Sequence, residues 1–464
     1  MKAKTLPLGG ITLIDKVEKD FGVISGVFSC VSNRAKDLEA RVKLLLYNRL
    51  THAVSVHRIL ETYPEEVFEI LKFRRKPSER SLYRTLEIIG KSLPILLERY
   101  QNVLKKHGLI ASEQIFDITS TYFEGEKAEL ATHGYSRDKR PDKKQVTIGV
   151  ATGINDVPSA ITVQRGNVQD KKHFKYLLSV AGRVLEKGSL LIFDAGANSR
   201  ANKERVVRSG FNYLTLKPKK VRTYKRYVRN FWKLKPRKFE LNGRDYYCVK
   251  LREKEKEEWF YVYFSPDLLR DQLRKKESRF EKQKLIGNKL AKKVKKRKPV
   301  ERLPFDNGWV ELYPHLQLTL KNPANPYITG IEGFFILESS LDADEKRILS
   351  LYKQRDKAEK FIRALKEGNE LRPVRHWSKY AILGAIFVCF LATAIYNLTV
   401  KILKNSPVKN LKLLKKFLQN LTLVIIYPKG RFQLRVVSNV TPQIKRILGD
   451  FVYRYGDKNL NLRW

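Results

Sequence analysis

Across 464 residues, 93 lysines and arginines face 48 aspartates and glutamates, a formal charge of +45 that runs from end to end of the chain. Such a charge self-repels unless a polyanion neutralises it, so a nucleic acid is the expected partner and an anionic membrane surface the rival. A hydrophobic content of 42% excludes a disordered basic chain, and the length allows about two to four domains.

Residues 11–105 carry helix-period apolar spacing, as in "ARVKLLLYNRLTHAVSVHRIL", and are expected to form an all-α N-terminal DNA-binding domain over 1–108. Within it, "RRKPSERSLYRTLEIIG" sets a basic turn, Pro77 and a capping Ser78 before a short helix bearing Arg80 and Arg84. That order suits a helix-turn-helix reader, and equally any small helical bundle. His52 and His57 have a spacing seen in zinc sites, but no cysteine pair accompanies them.

The pattern then changes to short β-branched runs. "EQIFDITS", "QVTIGVAT" and "SAITVQ" read as successive strands. A helix over 171–187 follows, then the apolar strand "SLLIFD", a helix from about 199 and a strand "NYLTLK". Strands and helices in this order predict a mixed α/β layer over 109–216. Residues 217–330 read as an inserted β-rich, basic domain: "DYYCVKLR" and "EWFYVYFS" as strands, then a long charged helix into "KLAKKVKKRKP". The α/β layer is expected to resume over 331–405. The C-terminal region, 406–464, holds "TLVIIYPKGRFQLRVVS", a hairpin with a Pro-Lys-Gly turn, and a closing helix.

Residues 380–400 contain no charge over a length sufficient to cross a bilayer. Lys379 and Lys401 flank the run, Thr393, Asn397 and Thr399 weaken its second half, and no second span exists, so a buried core helix is expected. Cys30, Cys248 and Cys389 form no disulfide framework, and the N-terminus shows no secretory segment. A cytoplasmic, nucleoid-associated protein is the expectation.

"YKQRDKAEKFIRALK", 352–366, is the most informative stretch. Taken as one helix at about 100° per residue, Tyr352, Arg355, Glu359 and Lys366 share a narrow polar stripe beside the apolar Leu351, Ala358, Ile362 and Leu365. The bland alternative is a solvated, salt-bridged face. Asp117 and Asp194 each end a buried strand, where a carboxylate needs a cation nearby or else caps the following turn. The order strand-Asp, strand-Asp, helix-Glu matches a ribonuclease-H-like core. Its hard oxygen ligands suit two Mg²⁺ or Mn²⁺ ions acting on a phosphodiester.

The spacing Tyr352-x2-Arg355-x3-Glu359-x6-Lys366 resembles the Y-R-E-K signature of DDE-class insertion-sequence transposases. "FDITSTYFEG" around Asp117, "HGYSRDKRPDKKQVTIGV" (133–150) and "RGNVQD" (165–170) are similar to blocks of the same group. The resemblance covers roughly 110–405. It implies Asp117, Asp194 and Glu359 as metal ligands, and Tyr352, Arg355 and Lys366 as DNA contacts near the scissile phosphate. It also implies a homodimer that cuts double-stranded transposon ends and joins them to target DNA. Relatives often stack an unpaired base on a tryptophan of the insertion; Trp232, Trp259 and Trp309 qualify, and spacing does not choose among them. The alternatives are a same-fold nuclease that cuts without joining, and an inactive, regulatory DNA-binding protein derived from a transposase.

Overall fold

The computed structural model describes residues 2–32, 37–253, 257–295, 303–305, 308–310, 325, 327–372, 374–402, 408, 410–428 and 433–457. Of these, the side chains of residues 2, 32, 253, 283–295, 303–305, 308–310, 401 and 402 are not described. The basic run 289–298 and the Trp309 side chain therefore lie outside the described residues, as does the Lys-Gly part of the 428–430 turn. The chain forms two compact units, residues 1–213 with 352–464, and residues 214–351.

The first unit is mixed α/β. Pro158–Arg165, Gln145–Gly153 and Glu113–Tyr122 are consecutive antiparallel strands, and Leu190–Phe193 pairs parallel to Glu113–Tyr122. Gln145–Gly153 is buried along its whole length, as a strand covered on both faces must be. Phe116, Phe174 and Phe193 pack together beneath the sheet, with ring centroids 5.6 and 4.7 Å apart in sequence order. A second sheet sets Thr422–Tyr427 between Lys2–Pro7 and Leu434–Ser438, all antiparallel.

Residues 1–108, expected as a separate domain, fold into this same unit. Tyr100 and Gln101 donate to the carbonyls of Pro158 and Ser159 at 2.7 and 3.1 Å. The helix Glu79–Lys91, which starts on the capping Ser78, lies against the apolar helix Lys379–Asn397. That apolar helix is the unit's core: 94% of its most hydrophobic window is covered by the protein itself. Its few polar groups are paired: Asn369 donates to Thr393 at 2.7 Å and Asn397 to the Asp156 carbonyl at 2.6 Å. On the other side of Glu79–Lys91, Arg80 and Arg84 remain exposed.

Two glycines allow the close crossing of those helices. A Cβ on Gly90 would lie 1.9 Å from the Tyr380 carbonyl oxygen, and one on Gly384 2.0 Å from that of Leu86. Both obstacles are backbone, so the helices would have to move apart. Gly90→Ala and Gly384→Ala are each expected to destabilise the protein by about 1–3 kcal/mol, read as a lowered melting temperature. An unchanged melting temperature in either would mean that the crossing is looser than this.

In the second unit, Phe334–Ser339 pairs antiparallel with Leu214–Leu216 and with Glu258–Phe264, which continues through Arg244–Glu253 to Arg237–Leu241. The strand Phe334–Ser339 thus belongs with residues 217–330 rather than beyond them. Phe231, Phe264 and Phe334 form its aromatic core. Trp232 packs edge-on against Phe264 and Tyr247 yet keeps 54% of its surface exposed. Trp259 is instead capped by Lys250 and Arg252.

Candidate metal and nucleic-acid site

Parallel register brings the two aspartates together. Phe116 is opposite Phe193, so the residues that follow them, Asp117 and Asp194, come side by side where the shorter strand Leu190–Phe193 ends. Asp117 is still inside its strand, and its Oδ1 accepts from the Ile118 amide at 2.9 Å. Asp194 follows the last strand residue; its Oδ1 accepts the Gly196 and Ala197 amides at 2.9 and 3.3 Å. The turn "DAGAN" thereby fixes the carboxylate as it leaves the sheet.

Residues 352–366 are not one continuous helix. Glu345–Lys353 ends, Gln354 and Arg355 make a turn, Asp356–Arg363 resumes, and Ala364–Gly368 widens to π geometry. The wide turn breaks the 100° periodicity on which the four-residue stripe rests, and Lys366 separates from the other three. Arg355 Nη2 donates to Glu359 Oε1 at 2.7 Å while Nη1 lies 3.6 Å from Asp194 Oδ2. One guanidinium therefore clasps two of the acids.

The electrostatics place Asp117 and Tyr352 in the same group. Burial, then the neighbouring Asp194 and Glu359, push the Asp117 carboxyl up to about 6 against the pull of Arg355. Burial alone would lower the Arg355 guanidinium, but Tyr352, Glu359, Asp117 and Asp194 together hold it above its ordinary value. Burial also pushes the Tyr352 hydroxyl up to about 12. Tyr352, Arg355, Asp117, Asp194 and Glu359 thus form one coupled set.

Lys366 lies elsewhere. Its side chain is 7% exposed, and Nζ donates to Asp138 Oδ1 at 2.9 Å, an oxygen that also accepts from Arg372 at 2.8 Å. Burial lowers the Lys366 ammonium, and Asp138 opposes that. In this conformation Lys366 ties the 133–143 loop to the π turn and offers no charge to a ligand.

A second acid borders Asp194. The point that a Cβ on Gly196 would occupy lies 2.7 Å from Asp170 Oδ2 and 3.1 Å from Asp194 Oδ1. Only a glycine leaves that gap open. Asp170 is held by the Arg137 guanidinium. Sequence reading did not single out Asp170, Arg137 or Asp138 individually, although "RGNVQD" and "HGYSRDKR" carry them.

Hard oxygen donors of this kind are the chemistry a divalent cation takes. Asp194 and Glu359 share the Arg355 guanidinium, and Asp117, raised by burial and then by the neighbouring acids, lies within their electrostatic reach. Among the described residues, no three acids, histidines or cysteines are already drawn into coordination range of one ion.

The raised Asp117 carboxyl has a measurable consequence. Its folded-state value of about 6 exceeds the ordinary 3.8, so the folded protein binds this proton more tightly than the unfolded chain. The stability it contributes is full below about pH 4 and is lost as pH rises through about 6. In chelator, Asp117→Asn should therefore be more stable than wild type at pH 8, by on the order of 1–3 kcal/mol, with the gap closing between pH 6 and 4. Melting curves across that range decide; a gap independent of pH would remove Asp117 from a crowded acidic site.

No family model and no curated protein matches the chain. Among solved structures, the chain is similar to a piggyBac transposase in its synaptic complex with hairpin DNA. The TM-score is 0.42 and the identity 10%, over 88% of this chain and 79% of that one.

Proposed function

We propose that the protein is a DNA transposase with a ribonuclease-H-like catalytic core, which cleaves transposon ends and joins them to target DNA. The observation that carries this is the convergence of Asp117, Asp194 and Glu359 around Arg355. A frame of charge +45 supplies the counter-charge for a polyanion. The three antiparallel strands with a parallel fourth beside them, and the two aspartates side by side on neighbouring strands, support the core assignment.

Asp117, Asp194 and Glu359 would hold two Mg²⁺ or Mn²⁺ ions. When bound, these supply Lewis-acid stabilisation of the attacking and leaving oxygens. The protein's own groups do the rest. Arg355 has a planar fork suited to a phosphate once the carboxylates take other partners, and Tyr352 supports it from 5.8 Å. In the first reaction a water oxygen attacks phosphorus, the P–O3′ bond breaks, and the strand end leaves as a 3′-hydroxyl. In the second, that hydroxyl attacks a phosphodiester of the target, expelling another 3′-oxygen. A homodimer pairing two ends is part of the proposal, as is a cytoplasmic, nucleoid-associated location.

The test incubates the protein with Mg²⁺ and DNA carrying the sequences that flank its gene. Nicked ends that become joined to a second duplex support a transposase. Nicking without joining identifies a nuclease, and binding without either identifies a regulatory DNA-binding protein.

A further inference from the structure

The loop that carries Arg137 and Asp138 is held at three places. At its base, Thr132 and Gln145 exchange both backbone hydrogen bonds, at 3.0 and 2.9 Å. There Gly134 approaches Gly166 so closely that a Cβ would lie 2.0 Å from the Gly166 carbonyl oxygen. In its middle, the Arg137 amide donates to Ser120 Oγ at 3.0 Å, three residues beyond Asp117 on the same strand, and the Arg137 guanidinium holds Asp170. Beyond that, Asp138 accepts from Lys366 and Arg372. The two sequence blocks 133–150 and 165–170 meet in this arrangement.

Between the first two anchors stands Tyr135. It is 81% exposed, and its ring lies 5.9 Å from the Arg137 guanidinium. Lys139, also exposed, turns out of the loop at a left-handed φ of 57°. A core-forming tyrosine would be covered, and a mobile loop would not carry three sets of anchors. The backbone is held while an aromatic face and Lys139 stand exposed and the partly exposed Arg137 sits on Asp170, next to Asp194. Rigid aromatic rings next to arginine are how proteins hold the bases and phosphates of unpaired strands.

We propose that residues 133–140 are a DNA-contact loop, in which Tyr135 stacks on a base of the strand being cut and Arg137, poised on Asp170 beside Asp194, takes an adjacent phosphate. This rests on the proposed function for the identity of the strand, and it moves the phosphate contact expected of the buried Lys366 to Arg137. Stacking of this kind is sequence-tolerant, so the loop grips the strand without reading it.

The experiment uses full-length protein in chelator, so that nothing is cut, and a short duplex with a single-stranded tail containing 2-aminopurine. Wild type should quench the probe on binding. Tyr135→Ala should lose the quenching and bind about five- to a hundredfold more weakly, whereas Tyr135→Phe should behave as wild type. Arg137→Ala should reduce the magnitude of the log–log salt slope by about 0.7–0.9. Because Tyr135 is exposed, Tyr135→Ala should melt with wild type, which separates lost contact from lost fold. Wild-type affinity and quenching in Tyr135→Ala would overturn the proposal. Loss of quenching alongside an absence of cleavage in Mg²⁺ would leave the loop standing and remove the transposase reading.

Discussion

Asp117→Ala, Asp194→Ala and Glu359→Ala should each abolish cleavage while leaving DNA binding near wild type. The three side chains come from the middle of one strand, the end of another and a helix, so no local repacking links them. What they share is the site around Arg355. If they hold the same cations, losing one removes stabilisation of the developing charge on both oxygens of the displacement. Removing even a single preorganised electrostatic partner costs on the order of 10²–10³ in rate, so a larger loss is expected here. Binding should hold or tighten slightly, because each substitution deletes a negative charge facing phosphates. Single-turnover cleavage in Mg²⁺ measures the first effect and a binding titration in chelator the second. Normal nicking by any one variant would take that residue out of the site.

Arg355→Ala and Lys366→Ala should part company. If Arg355 only made an exposed pair with Glu359, its loss would cost about 0.3–0.5 kcal/mol and leave the rate alone. It clasps Asp194 as well as Glu359, so a role at the phosphate predicts a slower reaction on pre-assembled complexes. The fall should be on the order of a hundredfold, the cost of a substrate displaced by roughly 1 Å. Arg355→Lys should recover part of it, since an ammonium keeps the charge without the fork. Lys366→Ala acts on stability instead. It strips a buried partner from Asp138, whose side chain is 3% exposed, and leaves Arg372 to compensate alone. A loss of up to about 3 kcal/mol is expected, with the rate falling only as the folded fraction falls. A stable but slow Lys366→Ala would put this lysine back at the substrate.

Asp194 was placed correctly just past the end of a buried strand. Asp117, expected at a strand end, lies in the middle of Glu113–Tyr122, because the β-branched and polar run after it continues the pairing. The parallel register still sets the two side by side. Glu359 and Arg355 were legible because an i,i+4 pair survives whatever the helix does beyond it. Lys366 was not. Its predicted position assumes uninterrupted α geometry, and the π turn at Ala364–Gly368 rotates it inward to an aspartate 228 residues away in sequence. No local period reports so distant an ion pair. That the N-terminal helices share a compact unit with residues 109–213 and 352–464 was hidden for a similar reason. Nothing in the sequence marks Gly90 and Gly384 as partners, and only the crossing of their helices reveals them as the contact itself. Asp170 stayed hidden because the block "RGNVQD" that ends on it does not show that the residue lies across the Gly196 gap from Asp194.

The claim that Asp117, Asp194 and Glu359 form one divalent-cation site can be tested without knowing any DNA sequence. Fe²⁺ bound in place of Mg²⁺, given ascorbate and peroxide, produces hydroxyl radicals that cut the backbone around the ion. Mass spectrometry of the fragments should find cuts near 117, near 194 and near 359, all suppressed by excess Mg²⁺ and all lost together in Asp194→Asn. Cuts confined to one of these segments, or unchanged in Asp194→Asn, would mean that the three carboxylates do not share an ion.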